Sequence, residues 1–316
     1  YQIALKKLLH IMKMKNRILL AEKLILGIFL ATFIGCSSND EETLIKQESI
    51  ITWGNPEDMY SGLALSDTEL NATANVPGAF VYTPAIGTVL SLGANQNLKI
   101  DFTPTDAVNY NTATKTVTIN VVNATDFDGN VYKVVAIGNQ IWMAENLKAT
   151  HYRNGDLIPN ITDNTEWGNL TTGAWSFYAN SDANGNLYGR QYNFYAVVDP
   201  RGLAPEGWHV ASNAEWTALN TFLGGDDVAA PKLKATSGWP FSTFTTPNNE
   251  SGFSALPGGA RDTNGIPYWI DFAAFWWTST DIPNSADANM ITVYKNESYI
   301  GINNDFKDEG YSVRCI

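Results

Sequence analysis

Apolar and polar residues alternate over much of the chain after residue 49, and the period is two. In LKIDFTPT, Leu98, Ile100 and Phe102 fall on one side and Lys99, Asp101 and Thr103 on the other. KTVTINVV repeats the pattern with Val117, Ile119 and Val121. A period of two is that of a strand with one buried face. Shorter runs precede these two: Ile51–Trp53, Ala79–Thr83 and Thr88–Leu92, separated by Asn55-Pro56, Val76-Pro77-Gly78 and Pro84. Many short strands at close spacing predict an all-β sandwich over residues 49–123.

The pattern changes beyond residue 124. Val131–Ile137 and Gln140–Met143 read as strands, with turns at Asp128-Gly129 and Gly138-Asn139. Two stretches have helical spacing. Tyr188–Val198 places Tyr188, Tyr192, Tyr195 and Ala196 on one stripe. Ser212-Asn213-Ala214-Glu215 is a capping box, followed by a stripe of Trp216, Leu219, Phe222 and Leu223 and closed by Gly224-Gly225. After it come strand-like runs: FSALPGG, YWIDF, FWWTST, NMITVYK, SYIGIN and YSVRC. Helices followed by an antiparallel sheet predict an α+β domain over 124–316. Nine of the ten Trp residues fall between Trp142 and Trp277, so the aromatic core belongs to this second part.

Four motifs carry a resemblance. LAPEGWHVAS (Leu203–Ser212), SGFSALPGGAR (Ser251–Arg261), WWTST (Trp276–Thr280) and GYSVRC (Gly310–Cys315) resemble those of the Fibrobacter succinogenes major paralogous domain, a module of bacterial surface lipoproteins. The resemblance runs from about Asp126 to Cys315 and implies the C-type-lectin-like fold shared with formylglycine-generating enzymes. VPGAFVYTPAIGTVL and FTPTDAVNYNTAT resemble a bacterial Ig-like repeat, here without a cysteine pair. The expected architecture is therefore multidomain: an all-β Ig-like sandwich followed by an α+β C-type-lectin-like domain.

The N-terminus changes the setting. Lys13, Lys15 and Arg17 precede the apolar run Leu24–Ile34, and Gly35 precedes Cys36. That layout is a lipoprotein signal peptide over residues 1–35, with Met12 or Met14 as an alternative start. Phe33-Ile34-Gly35-Cys36 resembles a lipobox, which implies acylation of Cys36 and insertion of its lipid into a membrane. Residues 36–48 read as an acidic tether; SSNDEE resembles the surface-export signal of Bacteroidetes-type lipoproteins. The expected location is the outer membrane, lipid-anchored and facing the exterior. Net charge is −12 overall. Residues 1–35 hold six Lys or Arg and one acid, so the remainder carries fourteen bases against thirty-one acids, or −17. A field of that sign repels nucleic acid.

Candidate chemistry is sparse. The formylglycine-generating enzymes work through a cysteine pair, whereas beyond Cys36 this chain has only Cys315, which reads as a buried inert thiol. DFDGN (Asp126, Asp128, Asn130) and SDANGN (Asp182, Asn184, Asn186) space oxygens as a calcium loop would, yet lack the EF-hand Gly and distal Glu; turn capping fits them better. The lectin calcium triplets EPN and WND are absent. No catalytic residue, metal ligand or cofactor is therefore assigned. His209 reads as a structural hydrogen-bonder, and Trp208, Trp277, Glu215 and Arg314 as structural residues. Arg314 falls on the Arg of the family's motif. We expect it to be buried and held by a carboxylate, Glu145 or Glu215, or by backbone carbonyls. Trp239, Phe241, Tyr268 and Trp269 lie in irregular loops and are the candidate ligand-binding residues, since rings give large contact area at low entropy cost. The expected function is a non-catalytic binding or adhesion module for an extracellular glycan or protein. The alternatives are a structural subunit of a surface layer or fibre, and an enzyme of unknown reaction.

Overall fold

A computed structural model describes residues 45–316. Cys36, the signal-peptide reading over 1–35 and most of the tether lie outside the described residues. Lys46–Ile316 form one compact unit, mostly β.

Six strands build the first lobe: β1 (Ile51–Thr52), β2 (Met59–Tyr60), β3 (Thr73–Ala74), β4 (Gly78–Thr83), β5 (Gly93–Pro104) and β6 (Ala113–Val122). One sheet runs β2-β6-β5-β4 and a two-stranded one pairs β1 with β3. The alternation holds as read: Leu98, Ile100, Phe102, Val117, Ile119 and Val121 are all buried, and Leu98 sits opposite Val117. All but Phe102, which packs on Phe80, close a core with Trp53, Leu65 and Leu70. Thr88–Leu92 departs from expectation. It makes one isolated bridge, Val89 to Ala64, because Val89 and Leu92 both point to solvent and only Leu90 reaches the core.

The second lobe starts with two small hairpins. β7 (Ala124–Thr125) pairs with β8 (Val131–Tyr132), and β9 (Val134–Ile137) with β10 (Gln140–Met143). Short helices and turns follow: α1 (Asn164–Trp167), β11 (Trp175–Ser176), α2 (Asp182–Tyr188), β12 (Gln191–Tyr192), α3 (Phe194–Val197), α4 (Asn213–Phe222) and α5 (Ala229–Leu233). Then come β13 (Gly258–Arg261), β14 (Pro267–Ile270), β15 (Ala273–Asp281), β16 (Asp287–Tyr294) and β17 (Gly301–Phe306), in the order β14-β13-β15-β16-β17. This sheet is mixed rather than antiparallel, since β13 and β15 run parallel.

The helix expected over 188–198 is broken. α2 ends at Tyr188, and Gly189 takes φ 80°, where a side chain would meet Asn146 Cβ at 2.9 Å and the Leu147 carbonyl at 3.0 Å. The chain then pairs Gln191-Tyr192 with Trp175-Ser176 before Asn193 caps α3. SDANGN lies within and just before α2. Close packing on Asn146 and Leu147 has overridden local helical spacing.

β15 is buried on both faces, and its alternation sorts two cores. Ala273, Phe275 and Trp277 face one with Tyr192, Phe194, Trp208, Tyr311 and Val313. Ala274 and Trp276 face the other with Trp142, Trp216, Leu219 and Phe253. Trp142, Trp216, Phe253 and Trp276 interlock with ring centroids 5.0–5.9 Å apart. α4 lies on the second core and its capping box is formed: the Ser212 hydroxyl accepts from Glu215 N while the Ser212 N–H donates to Glu215 Oε2 at 2.7 Å. Phe222 departs from the expected stripe. At 100° per residue it sits about 120° around the helix from Trp216, so it leaves the core and lies exposed over Gly138.

Candidate functional site

The C-terminal segment runs between the two cores. Tyr311, Val313 and Cys315 enter the first, while Arg314 turns toward the second and stacks 4.0 Å above the Phe253 ring. Backbone bonds fix the segment from both sides: Leu147 N–H donates to the Val313 carbonyl, Met143 N–H to the Cys315 carbonyl and Ala211 N–H to the Arg314 carbonyl.

Arg314 is 2% exposed. Its partners are two carbonyls and an amide. Nη1 donates to the Met143 and Phe253 carbonyls at 2.9 and 2.7 Å, and Nε donates to Asn146 Oδ1 at 3.1 Å. Neither proposed carboxylate holds it. Glu215 belongs to the α4 cap and to His209, at 2.7 Å from Nε2. Glu145 bonds Lys148 at 2.7 Å and acts on Arg314 only through space. Burial pushes the guanidinium down to about 9.

Asn146 is the hub that the sequence left unmarked. Its amide nitrogen donates to the Tyr188 carbonyl at 2.7 Å and to the Ser312 hydroxyl at 3.2 Å. Its oxygen accepts from Trp276 Nε1 at 2.8 Å and from Arg314. One side chain thus ties the end of α2, the central strand and the C-terminal segment. All of this backs onto a cleft of about 440 Å3, floored by Arg314 and Asn146. Lys133 lines it from between the two hairpins, Glu145 and Lys148 from the segment after β10, Asn186 from α2, and Thr236 and Ser237 from the loop after α5. Burial raises the Glu145 carboxyl, but its hydrogen bond from Lys148 and that cation's charge hold it below the usual range.

The four aromatic candidates are not brought together into this cleft. Trp239 is half-buried, donates from Nε1 to the Ala255 carbonyl at 2.8 Å and packs on the second core. Tyr268 is half-buried too, its hydroxyl shared between Glu309 Oε2 and Tyr311. Phe241 is 86% exposed and Trp269 48%. Trp269 takes φ 61°, which bulky residues rarely adopt, and its ring meets Tyr294 and Phe272.

The other singled-out residues have structural surroundings. Trp208 is buried and stacks on Tyr60 of the first lobe at 4.9 Å. Trp277 donates to the Tyr192 carbonyl at 2.8 Å. Cys315 is fully buried, and burial pushes its thiol up to about 12. Asp126 accepts from the Asn130 backbone, and Asp128 from Thr150 and His151, so DFDGN caps its own turn and ties down the loop at Thr150–His151. Among the described residues, no group of three or more His, Cys, Asp or Glu is placed to hold a metal ion. No helix among them is long and apolar enough to cross a membrane.

A family model described as the Fibrobacter succinogenes major domain matches residues 135–316, more than half of the chain, and the chain belongs to that family. The match covers the α4 cap, Arg314 and the buried residues of both cores except Ala124 and Tyr132. No curated protein and no solved structure matches the chain.

Proposed function

We propose that this chain is a lipid-anchored cell-surface binding module, non-catalytic, which holds an extracellular glycan or protein ligand on an Ig-like stalk. In this reading the first lobe is the Ig-like sandwich and the second takes the C-type-lectin-like fold. Cys36 carries the lipid that fixes the protein to the outer membrane, facing outward. The observation that carries the reading is the polar cleft floored by Arg314 and Asn146. It is built from several separate segments on a doubly packed sheet, which is how a rigid scaffold presents a site. Cys315, the one cysteine among the described residues, is buried and held in its thiol form, which favours binding over cysteine chemistry.

Two experiments test this. A glycan array and a pull-down with purified protein should return a specific ligand; a protein that retains nothing on either would favour a structural subunit. Metabolic labelling with a fatty-acid probe should mark the parent and not Cys36→Ser. Equal labelling of the two would remove the anchor from the reading.

A further inference from the structure

We propose, building on the reading of the chain as a ligand-binding module, that the Arg314 cleft takes an acidic sugar, a ring bearing one carboxylate among several hydroxyls. The floor supplies the first reason. Arg314 uses Nε and Nη1 on Asn146, Met143 and Phe253, whereas Nη2 has no hydrogen-bond partner among the described residues. A guanidinium buried to 2% exposure, with an unpartnered N–H pair at the edge of a cavity, is matched by an anion that accepts from it.

Charge supplies the second. The chain carries −12, yet Lys133, Lys148 and Arg314 face this cleft against the single carboxylate of Glu145. Glu145 is occupied by Lys148 at 2.7 Å, and Lys133 Nζ has no side-chain partner among the described residues. The cleft is therefore a local positive well that draws in an anion and repels cations. The rim supplies the third. Asn186, Thr236 and Ser237 present an amide and two hydroxyls with no side-chain hydrogen bonds inside the protein among the described residues. Such groups exchange donor and acceptor bonds with sugar hydroxyls. A cleft of about 440 Å3 suits a small ligand. Its larger aliphatic lining is only Leu187 and Leu256, so it lacks the apolar pocket that would grip a peptide side chain.

The test is a titration of the full chain in detergent with D-galacturonate, D-galactose and acetate, read by saturation-transfer NMR. Galacturonate should bind at least about tenfold more tightly than either of the others, the factor for one charge-assisted hydrogen bond added to the hydroxyl contacts. Lys133→Gln, at an exposed position, should weaken it about fivefold with an unchanged melt. Ser237→Trp should fill the exposed mouth and abolish binding. Galactose binding as tightly as galacturonate would overturn carboxylate recognition, and acetate doing so would leave an anion site without a sugar. Binding untouched by both substitutions would place the ligand elsewhere. If none of the three probes binds, the acidic-sugar assignment fails, while a ligand retained in the broader array or pull-down would leave the binding-module reading standing.

Discussion

Arg314 shows what a single buried cation does when no carboxylate meets it. Its charge is spread over two carbonyls, an amide oxygen and the face of Phe253. Arg314→Met would keep the volume and strand both carbonyls. Each unsatisfied buried acceptor costs about 1–3 kcal/mol, so the second lobe should lose roughly 3 kcal/mol in a denaturant titration. A change below about 0.5 kcal/mol would mean that Arg314 has no structural role. Burial was legible only through the family's motif and the expectation that both sides of this strand are covered, because alternation alone puts Ser312 and Arg314 opposite the apolar Tyr311, Val313 and Cys315. The partners were not legible, since Met143 and Phe253 stand far from Arg314 in sequence and any residue offers a carbonyl. Glu309 gives a second test at this scale. It is 6% exposed, accepts from Thr263 N and the Tyr268 hydroxyl, and lies near Asp305; burial foremost pushes its carboxyl up to about 8. A carboxyl raised in the folded state stabilises fully below its unfolded value of 4.5, and that stability is lost as pH rises through about 8. Glu309→Gln should therefore gain on the parent between pH 5 and pH 9, by about 2 kcal/mol or more. A parent–variant difference that does not change with pH would contradict this.

At the scale of elements, α4 shows local signals and tertiary packing agreeing. The capping box, the stripe apart from its exposed Phe222, and the Gly224-Gly225 stop were readable and formed, with Gly224 at φ 106° and Gly225 at φ 83°. Ser212→Ala removes a hydroxyl bonded to both Glu215 N and Glu215 Oε2, and should cost about 1 kcal/mol. An equilibrium melt checks it; a loss under about 0.3 kcal/mol would mean that the cap is redundant with the packing of Trp216. The stretch 188–198 shows the opposite case. Its tyrosines have helical spacing, but Tyr192 is needed opposite Trp175 and beside Tyr311, and Gly189 lets the chain turn there against Asn146. Helical spacing records what a segment can bury, not which neighbour it must reach. The cleft was hidden for the same reason. Its floor and rim come from segments up to about 180 residues apart, none carrying a motif for polar recognition.

For the whole molecule, the packing divides cleanly. The buried residues of the first lobe's core all fall between Trp53 and Val121 and those of the second lobe's two cores all lie from Ala124 onward, with Tyr60 bridging onto Trp208. Residues 49–122 and 124–316, expressed separately, should each melt cooperatively. Failure of the second piece alone would make the first lobe part of its fold. Tyr60→Ala should alter the melt of the joined chain by about 1 kcal/mol, the scale of one aromatic contact. The central claim is that this fold presents a ligand site in the cleft floored by Arg314. It is tested most directly by glycan-array retention of the full chain beside its Ser237→Trp and Trp269→Ala variants. Retention on uronate-bearing glycans should vanish with Ser237→Trp and persist with Trp269→Ala. Retention that survives Ser237→Trp and is lost with Trp269→Ala would move the site to the aromatic loop and contradict the claim.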